Sequence, residues 1–331
     1  MLKIFVCIVT AFIFTCAYFG TYNREMNHFN YKFDNHPNAL IETVEWLKKM
    51  ENKYSEEKQT INSVCQKYHE NVSLSINLKD MMLDTYFKWG YCPNAKVGTT
   101  TWVQHFIKLM TTEMRPDHFD GSFETKPDAK RIKAREFFQL PIEMLQVGPK
   151  YGGQRIKDML SDYLEDNSIL MFSFVRHPFE RLVSTFMDKV ERVGTVGNKE
   201  FLELNITSFP EFVELVLKQH REGNMNKHIK PFDARCQYCN IPYDVIGRME
   251  TFDEDVKYII IKQQLEDILP LEEAPVLHSN AHGKNTSDER EKHSLKLFSE
   301  LDKEQIQLLY EMYRMDFEMF RYNASPYFEL S

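Results

Sequence analysis

Two short apolar runs, each followed by an amphipathic stretch, predict two strand–helix units in this chain. The first run covers residues 86–92 and leads into apolar positions at helical spacing over residues 102–110. The second run, residues 169–175, is uninterrupted and precedes Pro178, which suits the first turn of a helix, and a further helical pattern. Repeated units of this kind predict a central parallel sheet flanked by helices, the α/β class.

Two further stretches with helical periodicity lie outside these units. The C-terminal stretch 301–320 predicts a helix that turns apolar side chains inward. The polar region 21–80 contains one such pattern, between Ile41 and Met50, which is typical of a stem with one amphipathic helix. A spacer without fixed structure is the alternative for this region.

Residues 4–20 form an uncharged apolar run directly after Lys3, which predicts a membrane-spanning signal anchor. Residues 1–3 are then a cytoplasmic tail, residues 21–85 a stem and residues 86–331 a lumenal domain, in a single-pass type II orientation. A cleaved signal peptide is the main alternative, although no A-x-A-like cleavage site follows the run, and a buried core helix is the third.

Both membrane interpretations place most of the chain in a secretory lumen, and the Asn-X-Ser/Thr sequons agree with this. Four sequons begin at Asn71, Asn205, Asn285 and Asn323. Pro326 should make the last of them a poor acceptor. Each tripeptide is a weak signal taken alone, so the sequons support the compartment without establishing it.

Four cysteines lie beyond the apolar run, and they predict disulfide chemistry. Cys65, Cys92, Cys236 and Cys239 are an even number with three full pairings. The pair Cys236 and Cys239 has the spacing of half a zinc site, but no second pair at metal spacing exists in the sequence. Disulfides are therefore the favoured interpretation in a lumenal protein, and no metal site is predicted.

Composition and charge narrow the functional classes. The chain has 331 residues with 43% hydrophobic and 27% charged residues, which is globular composition. Its 41 basic and 49 acidic residues give a net charge of −8, which argues against dedicated nucleic-acid binding and leaves room for local basic pockets.

The first corner, residues 93–101, combines a lysine, a glycine and three threonines where the first strand leads into its helix. Backbone N–H groups at a helix N-terminus favour an anion, and Lys96 adds a full positive charge, so the corner is a phosphate cradle by composition. It is not a Walker A loop, because Lys96 precedes Gly98. An ordinary helix start with an exposed lysine is the alternative.

The second corner, residues 176–184, follows the second strand at the sheet edge where open α/β folds bind ligands. Arg176 can contact phosphate with two N–H groups, Arg181 and Ser184 lie one turn apart on the following helix, and Ser184 offers a hydroxyl donor. Taken alone, this segment is equally typical of a strand-end salt bridge with solvated helix residues.

Together the corners resemble a known family. CPNAKVGTTTW (residues 92–102) and FVRHPFERLVSTF (residues 174–186) are similar to the 5′-phosphosulfate and 3′-phosphate loops of Golgi carbohydrate sulfotransferases, nearest to the chondroitin/dermatan 4-O and HNK-1 branch. Residues 226–231, 243–251 and 309–320 resemble further segments of that branch in the same order. The family usually has proline immediately before the loop lysine, where this chain has alanine.

The resemblance implies a P-loop-NTPase-like sulfotransferase fold in a Golgi membrane protein. It implies transfer of the sulfuryl group of 3′-phosphoadenosine 5′-phosphosulfate (PAPS) to a glycan hydroxyl, with GalNAc of chondroitin or dermatan as the leading acceptor and no metal required. The first-corner residues that it places at the 5′-phosphosulfate are Ala95, Lys96, Val97, Gly98, Thr99, Thr100 and Thr101. It places Arg176 and Ser184 at the 3′-phosphate, and Lys96 also has a catalytic role at the leaving oxygen.

A general base must take the proton of the acceptor hydroxyl, and histidine suits near-neutral pH. His118, after the first helix, and His228, within a family-like segment, are the two candidates, with a carboxylate or another histidine as the alternative. His177 lies within the second corner and is interpreted as structural.

A basic cluster between the two corners is a candidate surface for an anionic glycan, such as a uronate-containing chain. A solvated helix face or loop is the alternative for this cluster. Its members are Lys126, Lys130, Arg131, Lys133 and Arg135.

Two other functions remain open at this point. A P-loop kinase would need a Walker A sequence, which is missing. A catalytically inactive glycan-binding relative is favoured only by Ala95.

Overall fold

The computed structural model describes residues 37–68, 81–84, 87–112, 169–191, 206–271 and 287–330. Its strands are β1 (Met82–Asp84), β2 (Trp89–Cys92), β3 (Leu170–Val175) and β4 (Val245–Arg248). Its α-helices are α1 (Pro37–Lys67), α2 (Thr99–Thr111), α3 (Pro178–Phe186), α4 (Phe209–Glu222), α5 (Phe232–Cys236), α6 (Phe252–Lys262), α7 (Ser287–Phe298), α8 (Lys303–Met319) and α9 (Ser325–Phe328). The chain divides into two units, residues 1–53 and residues 54–331.

The described strands form one sheet in the order β1-β2-β3-β4. β2, β3 and β4 are parallel neighbours, which confirms the predicted parallel sheet, and β1 adds an antiparallel edge. β2 is shorter than the predicted run because residues 87 and 88 form a turn, in which Lys88 has a positive φ of 58°.

An aromatic layer joins the sheet to α2. Trp89 contacts Phe172 of the neighbouring strand at a centroid separation of 5.5 Å, and Trp102 of α2 lies 4.5 Å from Phe172 and 5.4 Å from Phe174. All four side chains are fully buried, so the strand–helix unit is fixed by a dense apolar contact. The apolar run and the helical pattern of the sequence therefore meet face to face.

A second hydrophobic core lies among α3, α4, α7, α8 and α9. The predicted C-terminal helix is α8, which begins after Asp302 because this residue forms a reciprocal capping box with Gln305. The phenylalanine and tyrosine side chains of this core are Phe179, Phe186, Phe209, Phe212, Phe298, Phe317, Tyr313 and Tyr327.

The amphipathic helix predicted in the polar N-terminal region is present as α1, with 31 residues. Within the second unit, Tyr54 donates a hydrogen bond of 2.7 Å to Asp255, and Arg248 of β4 donates one of 2.9 Å to Glu57. Of the helices in the described ranges, none combines the length and apolar character needed to cross a membrane. The predicted anchor, residues 4–20, lies outside those ranges.

Two disulfides confirm the favoured interpretation of the cysteines. Cys65 of α1 is bonded to Cys239, and Cys92 at the end of β2 is bonded to Cys236 of α5. Cys92 directly precedes the first corner, so the Cys92–Cys236 disulfide links that corner to α5.

Candidate active site

The two corners lie side by side at one edge of the sheet. β2 and β3 are parallel and in direct register, with Cys92 opposite Ser173, so both strands end toward the same edge. Residues 93–98 follow β2, and Arg176 and His177 follow β3. The carboxyl edge of a parallel sheet is where α/β folds bind ligands, and the sequence placed its candidate residues at this edge.

The backbone of the first corner turns sharply into α2. Lys96 has a φ of 69° and Gly98 a φ of 78°, and Gly98 caps the helix. The first N–H groups to bond within the helix are those of Thr101 and Trp102, both to the carbonyl of Gly98. The preceding helical N–H groups and the positive end of the helix dipole therefore face the corner, which is the usual basis of anion binding.

A buried amide supports the first corner from below. Asn94 is fully buried, and its Nδ2 donates to Ser173 Oγ at 3.2 Å and to the hydroxyl of Tyr238 at 2.9 Å. Its carbonyl accepts a hydrogen bond from Thr99 Oγ1, and Arg235 Nε donates to the carbonyl of Pro93 at 3.0 Å. These bonds satisfy the loop's buried polar groups and hold its backbone in place.

Lys96 is largely withdrawn from water and ion-paired. Its Nζ lies 3.3 Å from Asp188 Oδ2, and Lys189 Nζ lies 3.0 Å from the same oxygen. Burial lowers the pKa of Lys96, and the nearby cations Lys189 and Arg176 act in the same direction, whereas Asp188 opposes them. Arg176 of the second corner is thus near enough to Lys96 to act on its charge.

Asp188 responds to the same charges. Burial by itself raises the pKa of Asp188, but Lys96 and Lys189 outweigh it and hold the pKa of this carboxyl below its ordinary value. Asp188 is therefore ionised at neutral pH. It lies on a turn of π-helix, Met187–Glu191, which directly follows α3 and presents it beside the first corner.

Arg176 is held at the second corner by a carboxylate of the following helix, α3. Its Nε and Nη2 lie 3.3 and 3.2 Å from Glu180 Oε2, and both side chains are nearly buried. Ser184, one turn further along, is half-buried. Arg181, in contrast, is fully buried and donates to the carbonyl of Lys230 at 2.8 Å, so its role is structural.

The predicted loop residues differ in what they present. Val97 and Thr101 are buried in the body of the protein, whereas Ala95, Lys96 and Thr100 are half-buried at the corner. A ligand at this corner would therefore meet the lysine and the exposed part of the backbone first. The roles that the resemblance implies for all seven loop residues stay predictions.

The predicted candidate base His228 lies in a segment that packs against α3. The pKa of His228 is lowered to about 3, mainly by burial. The nearby cations Lys189, Lys227 and Lys96 lower it further. Its backbone carbonyl accepts a hydrogen bond of 3.2 Å from Thr185 of α3, which fixes its segment against the second corner. His228 is thus a neutral imidazole at ordinary pH, in a segment held against α3.

The other predicted site residues either lie outside the described residues or have a structural role. His118 and the basic cluster of residues 126–135 lie outside the described residues. His177 is buried in an aromatic cluster and its Nε2 lies 3.0 Å from the carbonyl of Asn323, which agrees with a structural interpretation. Among the described residues, no group of three or more His, Cys, Asp and Glu side chains could hold a metal ion.

Sequence reasoning missed Asp188, Lys189 and Glu180. A signal was present, because Glu180, Ser184 and Asp188 follow one another at intervals of four residues and so share one helical face.

Comparison with known proteins agrees with this geometry. The model of the sulfotransferase family matches residues 79–323, and the chain belongs to that family. It is an enzyme that uses PAPS as the sulfuryl donor.

Curated relatives are similar over most of the chain. Human carbohydrate sulfotransferase 9 is 24% identical over 328 residues, covering 91% of this chain and 67% of the relative. Mouse carbohydrate sulfotransferase 11 is 27% identical over 274 residues, covering 77% and 70%. Mouse carbohydrate sulfotransferase 8 is 25% identical over 296 residues, covering 83% and 64%. No solved structure matches the chain at a significant level.

Proposed function

We propose that this chain sulfates a hydroxyl group of a glycan, with GalNAc of chondroitin, dermatan or a related glycoprotein glycan as the acceptor. The observation that carries the proposal is the placement of Lys96 and Arg176 at the ends of two adjacent parallel strands. Two cations at one sheet edge suit a nucleotide with phosphate groups at both ends of its ribose. The names of the relatives, all carbohydrate sulfotransferases, support a sugar acceptor.

Each corner then takes one end of the donor. Lys96 and the N–H groups at the start of α2 bind the 5′-phosphosulfate, with Gly98 and its neighbours allowing close approach. Arg176 and Ser184 bind the 3′-phosphate. The residues present fit this donor, because the two cations follow adjacent parallel strands and the start of α2 offers N–H donors at the first corner.

The reaction forms one bond to sulfur and breaks another. The acceptor oxygen attacks the sulfur, the bond between sulfur and the 5′-phosphate oxygen breaks, and 3′-phosphoadenosine 5′-phosphate (PAP) leaves with the bonding electron pair. The proton of the acceptor hydroxyl goes to the base. Lys96 stabilises the negative charge that grows on the leaving phosphate oxygen, because a fixed cation needs no reorganisation at that moment.

His228 is the described residue that we assign as this base. With a pKa of about 3 its imidazole is unprotonated at physiological pH, and it is a weak base before the donor binds. The cations Lys189, Lys227 and Lys96 contribute to its low pKa, and the negative charges of the donor would offset them. Donor binding therefore raises the basicity of His228 at the step that needs it. His118 stays the alternative candidate.

The proposed location is the Golgi membrane, in a single-pass type II orientation. Residues 4–20 would be the anchor, residues 21–85 the stem and residues 86–331 a P-loop-like lumenal domain. The two disulfides support this placement, because such bonds persist in oxidising compartments.

Sulfuryl transfer is tested with the full chain, radiolabelled PAPS and a panel of glycans that includes chondroitin and dermatan. We expect label on a GalNAc-containing glycan, and we expect Lys96→Ala to lower the transfer rate by about 100- to 1,000-fold. Lys218→Ala, an exposed lysine of α4, is the matched control and should keep the wild-type rate. Absence of transfer to every glycan, together with absence of PAP binding, would overturn the proposal.

A further inference from the structure

The carboxylate of Asp188 is ion-paired with Lys96, the cation that we propose binds the 5′-phosphosulfate of the donor. Asp188 Oδ2 lies 3.3 Å from Lys96 Nζ, and the two side chains are only 28% and 21% exposed. A phosphosulfate at Lys96 would bring a second anion to the same ammonium group. Like charges at such distances repel in a poorly solvated site, so the two anions compete for Lys96.

A second cation lies beside Asp188, so the loss of its contact with Lys96 would cost little free energy. Lys189 Nζ lies 3.0 Å from the same Oδ2 atom, so the carboxylate keeps a cation when Lys96 turns away. A buried charge that loses its sole partner is costly, whereas one that exchanges partners is not. The π-helical turn that carries both residues places them together beside the first corner.

The second corner has a different arrangement. Arg176 donates hydrogen bonds from Nε and Nη2 to Glu180 Oε2. The Nη1 group of the guanidinium can then donate to another acceptor. The Lys96 ammonium carries three N–H donors on a single nitrogen, so two anions that contact it lie close to each other and repel. Competition is therefore expected at the 5′ end of the donor rather than at the 3′ end.

We infer that Asp188 is an exchangeable counterion of Lys96 that weakens binding of the 5′-phosphate end of the nucleotide and so favours release of the product. This inference rests on the proposed function, because it assigns Lys96 to that end. Asp188 acts through Lys96 and is a positioning residue. Its removal should tighten nucleotide binding, which is the opposite of what loss of a supporting contact would do.

The test is calorimetric titration of the purified full chain with three probes. PAP carries both phosphates, adenosine 5′-monophosphate carries one and adenosine 3′-monophosphate the other. For Asp188→Asn we expect affinity for PAP and for the 5′-monophosphate to rise by about three- to tenfold, since an ion pair of this exposure is worth that much. Affinity for the 3′-monophosphate should not change.

A matched control separates this effect from a change in net charge. Glu311→Gln alters an ion pair on the exposed face of α8 by the same unit charge, and it should leave all three affinities unchanged. Wild-type binding of the 3′-monophosphate by Asp188→Asn also reports that the variant is folded. If this variant does not fold, Asp188→Ala is titrated instead, with the same expectation.

The outcomes distinguish the inference from the function on which it rests. If wild-type chain binds PAP but removal of the Asp188 charge weakens that binding, leaves it unchanged or affects the 3′-monophosphate equally, the counterion role is wrong and the donor site stands. If wild-type chain binds none of the three probes, both the donor site and the counterion role are wrong.

Discussion

Lys96 combines a functional side chain with a backbone that opposes it. Its φ of 69° lies in the left-handed region, which costs a residue with a side chain about 1–2 kcal/mol relative to glycine. Burial also lowers the pKa of its ammonium group, so the charge is held against its hydration preference. Strain of this kind is typical of residues retained for function.

Lys96→Gly should therefore stabilise the fold while removing activity. We expect the free energy of unfolding to rise by up to about 1 kcal/mol, because glycine adopts this backbone without a steric penalty. Lys88→Gly is the matched control: Lys88 has a φ of 58° at the opposite end of β2 and is exposed. It should gain similar stability and keep full transfer activity. Chemical unfolding measures the stability of the two variants, and the transfer assay measures their activity. A loss of stability in Lys96→Gly would contradict the strain argument.

The low pKa of His228 predicts a pH dependence of stability. Below about pH 6.5 the unfolded chain binds a proton at this imidazole, whereas the folded chain does so only near pH 3. The unfolded state then holds more protons, so stability falls as the pH falls, by up to about 2 kcal/mol at pH 5. His228→Asn should lose this contribution, seen as a smaller difference in unfolding free energy between pH 7 and pH 5. An unchanged difference would show that His228 is charged or well solvated in the folded protein.

The functional residues that the sequence identified and missed differ in a physical way. Lys96 and Arg176 follow strands, and their place at the sheet edge is fixed by local order along the chain. Asp188 contacts Lys96 across 92 positions, and its helical spacing with Glu180 and Ser184 does not indicate this partner. The exact exposure of Val97 and Thr101 likewise depends on the packed sheet, so composition alone could not separate them from Lys96.

At the scale of elements, the strand–helix units were predictable because their apolar periodicity is strong. β1, with three residues, has too short a pattern to be recognised, and its antiparallel pairing with β2 is set by contacts remote from its own sequence. The helix predicted after β3 ends earlier, at Phe186, and continues as a π-helical turn. Thr185 contributes there, since its hydroxyl donates to the carbonyl of Arg181 and this back-bonding distorts helices.

Gly247 of β4 tests how closely these elements are packed. It lies opposite Phe174 of β3, and a Cβ atom at this position would overlap the Phe174 ring. We expect Gly247→Ala to lower the free energy of unfolding by about 1–3 kcal/mol, as overpacking of a tight core does. Chemical unfolding measures this, and the double variant with Phe174→Leu should recover part of the loss. A neutral Gly247→Ala would mean that the ring has room to move.

At the scale of the whole molecule, two long-range disulfides tie the N-terminal helix and the first corner to the segment around α5. They join residues 174 and 144 positions apart, and the closure of such long loops restricts the unfolded chain strongly. The sequence predicted disulfides and left three pairings open, because pairing is decided by which segments meet in space.

Peptide mapping without reduction should find Cys65 linked to Cys239 and Cys92 linked to Cys236. Replacing both Cys92 and Cys236 by alanine should lower the free energy of unfolding by about 2–5 kcal/mol. It should also weaken PAP binding, since this bond adjoins the first corner. The double replacement of Cys65 and Cys239 is the matched control, with loss of stability and near wild-type PAP binding. Any other pairing in the map would contradict the arrangement described.

The central claim is that both corners bind opposite ends of one nucleotide, and a crystal structure of the chain with PAP tests it most directly. We expect a single PAP molecule, with its 5′-phosphate within hydrogen-bonding distance of Lys96 and the start of α2, and its 3′-phosphate on Arg176 and Ser184. A nucleotide bound elsewhere, or one that contacts a single corner only, would contradict the claim.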